Sequence, residues 1–177
     1  MQCIWYSKVG TSLRGRIAIR LSLLFVAVGL LIVYDVAVNA QDNKAKAGLA
    51  VWRNSACADC HGPFADGEKE VDEAPTGANI RTSRLDDAAL RQVIGCGRAG
   101  SGMPAFDEGA YTVRPCYGQA LGPAPDNLYP TPRKLKPDEI DAVVSYLRAR
   151  IIGRGRITLE ECLSYYDDQE DLCEDYK

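Results

Sequence analysis

The stretch "CADCH", Cys57 to His61, sets two thiols three residues apart and follows the second at once with an imidazole, the only histidine among 177 residues. Three chemistries use such a cluster. Two thiols and an adjacent histidine can attach haem, because the cysteines reach the two vinyl groups on one porphyrin edge and the next residue then lies under the iron. Thiols and imidazole also bind zinc, and a bare CxxC can act as a redox dithiol.

Zinc in a structural site needs four ligands. The chain has no second histidine and no second CxxC, so Cys96 or Cys116 would have to be recruited. A thioredoxin-like dithiol sits after a strand in a βαβ unit, whereas a helical pattern precedes this motif. Haem attachment is the reading that uses all three side chains.

A haem held through His61 has a sixth position to fill, and a thioether there raises the reduction potential and favours electron transfer over substrate binding. The chain has two methionines, Met1 and Met103. Met103 lies in "GRAGSGMPAF", 42 residues after His61, with a proline behind it that restrains the backbone. A lone methionine is often core filler, but the glycine-rich setting and its uniqueness outside the start codon favour a ligand.

The elements that must carry these residues are helical. Lys44 to about Ser55 places Leu49 and Trp52 on one face, with Ala45 and Gly48 as small neighbours. Asp86 or Ser83 can cap a second helix with Leu90, Val93 and Ile94 inside, stopped by Gly95 and Gly97. Residues 96–134 hold six of the nine prolines and predict a structured loop without long helices or paired strands. Pro137, Asp138 and Glu139 then open the clearest helix, in which Ile140, Val143, Val144, Leu147 and Ile151 recur at helical spacing until "GRGR" ends it. Thr158 and Glu161 predict a capping box on a short last helix. No alternating strand pattern of useful length occurs, so the expected class is all-α.

The first forty residues have another character. Lys8, Arg14, Arg16 and Arg20 precede the uncharged run Leu21 to Val33, and short residues follow to Ala40. This is the layout of a secretory signal cleaved after Ala40, since a membrane span takes about 20 apolar residues and this run is shorter. Cys3 lies in the basic region, away from any cleavage point, and is not read as a lipidation site. Residues 41–177 then form one domain, without a stable membrane anchor. The leader takes four basic residues and Asp35 with it, leaving 17 basic and 23 acidic residues, net −6. Such a surface disfavours nucleic acid and suits a partner with a basic face.

Seven cysteines suit an oxidising compartment. With Cys3 in the leader and Cys57 and Cys60 in the motif, four remain and allow three pairings. Cys96–Cys116 with Cys162–Cys173 is favoured, since each closes a local loop that has little apolar content of its own.

At this point the chain resembles the class I c-type cytochromes. The order is theirs over about residues 43–152: an amphipathic helix, CxxCH, a helical middle, a Met-Pro loop and a closing amphipathic helix. "AGLAVWRNSACADCHG" is similar to the family's first helix, whose glycine and aromatic cross the last helix. The resemblance gives those roles to Gly48 and Trp52, meeting Tyr146 and Leu147 of "IDAVVSYLRAR". It implies three to five helices and long loops around one haem c, linked covalently to Cys57 and Cys60 and ligated by His61 and Met103. It also implies that a proline carbonyl after the motif accepts the other N–H of His61. Pro75 in "EAPTGAN" is the counterpart, with Pro63 as competitor. Arg81, Arg98 and several tyrosines are within the range of residue types that reach haem propionates, and spacing selects none of them.

Two segments exceed a minimal member: the enlarged methionine loop, residues 107–134, and an extension over residues 153–177. Either adds stability or forms a docking surface. The expected protein is a monomeric periplasmic carrier passing one electron from a dehydrogenase or oxidoreductase to an acceptor. Competing readings are a permanent cytochrome subunit of a dehydrogenase complex and, if Met103 does not ligate, a haem enzyme or ligand sensor. A disulfide-rich binding module without haem would leave His61 unexplained.

Overall fold

A computed structural model describes residues 38–177 apart from residues 129 and 132. The expected leader, with Cys3, lies outside the described residues except for its last three positions. Residues 41–177 form one compact unit.

Helix α1 covers residues 38–54 among those described, so it begins before the expected Lys44. Asp42 explains part of this, since it pairs with Lys46 one turn on and with Arg150 of the closing helix. Ala56 then adopts a left-handed conformation (φ 58°), which no side-chain cap supports, and separates α1 from the short α2, Cys57–His61.

Helix α3, Asp87–Cys96, is capped by Asp86, whose carboxylate accepts the Ala89 N–H at 2.8 Å. Leu90 and Ile94 face inward. Gly97 ends the helix, while Gly95 stays inside its last turn and lets Asp107 and Ile140 approach. Helix α4, Pro137–Tyr146, starts with proline in its first turn, and Glu139 accepts the Lys136 N–H at 2.9 Å. It runs on through a π-helical turn, Leu147–Ile151, so the apolar stripe from Ile140 to Ile151 stays on one face. Helix α5, Leu159–Tyr165, and a 3₁₀ segment, Glu170–Tyr176, complete the chain. No strand forms among the described residues; isolated bridges such as Arg98 with Met103 are the limit of pairing.

Half of the expected capping box forms. Thr158 accepts the Glu161 N–H, but the Glu161 carboxylate turns away to Arg81. Two disulfides form, Cys96–Cys116 and Cys162–Cys173. The extension lies on the loop after α2: Phe64 meets the ring edges of Tyr165, Tyr166 and Tyr176, and Arg53 grips Asp167 with both guanidinium nitrogens.

The main core joins Trp52, Leu90, Ile94, Phe106, Val143 and Leu147. These side chains also wall the principal cavity, which gives the core a second role.

Candidate cofactor site

Helix α1 reaches the site by backbone contact. A Cβ on Gly48 would stand 2.0 Å from the Ala142 carbonyl oxygen and 2.7 Å from Tyr146 Cβ, so only glycine lets α1 and α4 cross this closely. The crossing brings Trp52 onto Tyr146, with ring centroids 6.1 Å apart, and onto His61 at 6.0 Å. Leu147 joins Trp52 in the cavity wall.

The cavity encloses about 1020 Å³, at the upper end of the roughly 300–1,000 Å³ usual for small-molecule sites. It brings together Cys57, Cys60, His61, Pro75 and Met103. Its apolar walls come from α3 and α4 and from Phe106.

Cys57 and Cys60 form no disulfide. Burial, with the Asp59 carboxylate next in effect, pushes Cys57 up to about 12 and moves Cys60 in the same direction. A redox dithiol works through a lowered thiol pKa, so this environment is the opposite of what that chemistry uses. Among the described residues no group of three or more His, Cys, Asp or Glu side chains could hold a metal ion. The zinc alternative therefore lacks its ligands.

His61 Nδ1 lies 2.8 Å from the Ala78 carbonyl oxygen. The imidazole donates there, which leaves the Nε2 lone pair for a metal. Burial lowers the His61 pKa and outweighs the opposing Ala78 contact, so the ring is held neutral as a ligand requires. This corrects the expectation for Pro75: neither Pro75 nor Pro63 supplies the acceptor. Gly77 is the reason. A Cβ there would be 2.5 Å from His61 Nδ1, and its N–H donates to the Cys60 carbonyl at 2.7 Å, so the loop lies flat against the ring and presents the following carbonyl. Pro75 instead packs under the methionine hairpin, where a Cβ on Gly102 would meet its ring at 2.9 Å.

Met103 sits in a tight hairpin closed by Arg98 N–H donating to its carbonyl at 3.1 Å. Arg98 borders the cavity. Arg81 is buried elsewhere, donating to Glu161 and to the carbonyls of Phe64 and Gly155.

These residues fit haem c. Two thiols, a neutral imidazole with one nitrogen free, a thioether and an apolar wall surround a space of suitable size. Trp52 supplies a further sign: its side chain is 2% exposed, yet its indole N–H has no partner in the protein. A buried donor without an acceptor is costly, and a polar group bound in the cavity could accept it.

Residues 43–114 match the family model described as cytochrome c oxidase, cbb3-type, subunit III. The match over residues 43–114 indicates a c-type cytochrome domain. Its cofactor is covalently bound haem c, and haem-based electron transfer is its chemistry. No curated protein and no solved structure gives a significant match. Such cytochrome domains typically work outside the cytoplasm. Among the described residues no helix is long and apolar enough to cross a membrane.

Sequence reasoning missed Ala78, because a backbone carbonyl carries no residue-type signal; Gly77 was the available clue. It also missed Arg133, which donates to buried Ser55 at 2.9 Å and to Glu139, holding the turn into α2 against the start of α4.

Proposed function

We propose that the protein is a periplasmic single-haem electron carrier, in which Cys57 and Cys60 hold the haem by thioethers and His61 and Met103 are the axial ligands. The observation that carries this reading is the pairing of a histidine whose Nδ1 is tied to Ala78 with a methionine lining the same cavity. When bound, haem supplies the one-electron redox change. The chain's own part is to orient and exclude. Ala78 sets the His61 tautomer, Gly77 and Trp52 fix the ring plane, and Leu90, Ile94, Phe106, Val143 and Leu147 keep water from the cavity. Met103 fills the position that an external ligand would otherwise take.

The partner is a redox protein with a basic docking face, which the net −6 charge of residues 41–177 would steer at low ionic strength. Five acids lie between Asp66 and Glu73, and Glu73 borders the cavity. The reading is of a monomer that meets donor and acceptor in turn.

The test is the red-region absorption of the ferric protein beside Met103→Ala. A weak thioether-to-iron band in the parent and none in the variant supports the carrier. A haem spectrum without the band, or one that a small ligand shifts readily, favours a haem enzyme or sensor. A second reading has its own support: the matched family is described as an oxidase subunit, which fits a permanent subunit of a larger complex. Co-purification with a partner that survives high salt would favour that reading.

A further inference from the structure

The insertion after Met103 carries a small core of its own, separate from the main one: Cys96, Ala105, Ala110, Tyr111 and Cys116, with Leu128 against it. Two of these residues flank the methionine hairpin. Cys96 ends α3 just before it, and Ala105 follows Pro104 just after it. The last carbonyls of a helix have no partner within it. Here the insertion supplies partners. Tyr111 Oη donates to the Cys96 carbonyl at 3.1 Å, and Tyr117 Oη donates to the Gly97 carbonyl. The Cys96–Cys116 disulfide adds a covalent tie at the same place.

The hairpin itself is closely made. Gly97 has φ +67°, and a Cβ there would lie 2.6 Å from the Pro104 carbonyl group. Ser101 folds back on the Arg98 carbonyl through both its N–H and its hydroxyl. Downstream, Lys134 Nζ donates to the Ala105 carbonyl at 2.6 Å and Leu135 N–H to the Phe106 carbonyl at 2.7 Å. Tyr111, Tyr117 and Lys134 of the insertion thus all donate to backbone carbonyls either side of Met103.

We propose that the insertion is a brace for the sixth iron ligand, with Tyr111, Tyr117 and Cys116 as positioning residues that keep the Gly97–Pro104 hairpin closed on the cavity. The inference rests on Met103 ligating the haem. The brace acts through the equilibrium between a closed hairpin and one that has released the iron. An external ligand competes only for the released fraction, so its apparent affinity rises in proportion to that fraction. Val113 and Leu121 of the same insertion are 69% and 56% exposed and serve as the control.

The test is imidazole binding to the ferric, haem-loaded full-length protein, followed together with the red-region band. Each Tyr→Phe change removes one hydroxyl and keeps the ring, and is expected to raise imidazole affinity about fivefold, the value of one ordinary hydrogen bond. The pair Tyr111→Phe and Tyr117→Phe should lose the band on warming well before its helical signal. Cys96→Ser with Cys116→Ser should do so more strongly. If that variant does not fold, the tyrosine pair decides. Val113→Ser with Leu121→Ser should bind imidazole as the parent does. Parent-like imidazole affinity in the tyrosine pair would overturn the brace, as would an equal rise in the Val113 and Leu121 control. A parent without the red band would overturn the ligand assignment beneath it, and that failure is visible before any variant is made.

Discussion

The carbonyl oxygen of Ala142 occupies the place where a side chain on Gly48 would begin, 2.0 Å from an ideal Cβ. Helices α1 and α4 therefore cross with their backbones in contact, and this crossing sets Trp52 against both Tyr146 and His61. One glycine thus connects the packing of α1 and α4 to the orientation of His61.

Gly48→Ala should separate the helices. Overpacking a closed interface costs about 1–3 kcal/mol, and the obstacle here is backbone, which has no rotamer to relieve it. Gly122→Ala is the control, since nothing lies within 4 Å of its Cβ. Thermal unfolding should show a clear loss for the first and parent-like stability for the second. Equal behaviour of the two would contradict the crossing.

Arg81 and Glu161 form a buried pair, with side chains 5% and 15% exposed. Removing one partner leaves a charge in a site built for two, and such losses run to about 3–5 kcal/mol. Glu161→Ala should therefore destabilise strongly, whereas Arg81→Met with Glu161→Leu should recover much of the loss. The Arg53–Asp167 pair, whose Asp167 side chain is 69% exposed, should contribute below about 1 kcal/mol. Denaturant midpoints for Glu161→Ala and Asp167→Ala would rank the two contacts.

Helix α4 was legible because several local signals agree in it: a proline at its start, acids in its first turn and an apolar period unbroken to Ile151. That CxxCH and Met103 belong together was legible because residue type marks both, and the two line one cavity. The acceptor of His61 was not, since every residue has a carbonyl and only the close approach of Gly77 selects Ala78. Nor was the partner of Glu161: a capping box is a local pattern, and Arg81 lies 80 positions away.

Asp107 carries an acid-side prediction. Burial pushes its carboxyl up, but Arg114 and the Gly109 N–H outweigh that and hold it below the usual carboxylate range. A lowered folded pKa means stability that is present above the unfolded value of about 3.9 and is lost as pH falls through the folded one. The insertion should loosen in that acid window. Asp107→Asn should be less stable at neutral pH and show a flatter dependence below about pH 4. A parallel acid profile for parent and variant would remove Asp107 from the account.

Gly77→Ala tests the histidine side of the site without touching a ligand. A Cβ at 2.5 Å from His61 Nδ1 and 2.7 Å from the Cys60 carbonyl must push the loop outward, and the Ala78 carbonyl moves with it. The imidazole would lose the acceptor that fixes its tautomer, and partners of this kind typically matter 10–100-fold for metal affinity or activity. On the proposed ligation, the variant should keep its covalent haem, because Cys57 and Cys60 are unchanged, but have a shifted reduction potential and exchange His61 more readily. Gly67→Ala, in the same loop but 3.3 Å from its nearest contact, would strain the backbone (φ +89°) without crowding the ring. If both variants shift the potential alike, the effect belongs to the loop as a whole. If only Gly77→Ala does, it belongs to the bond between His61 and Ala78.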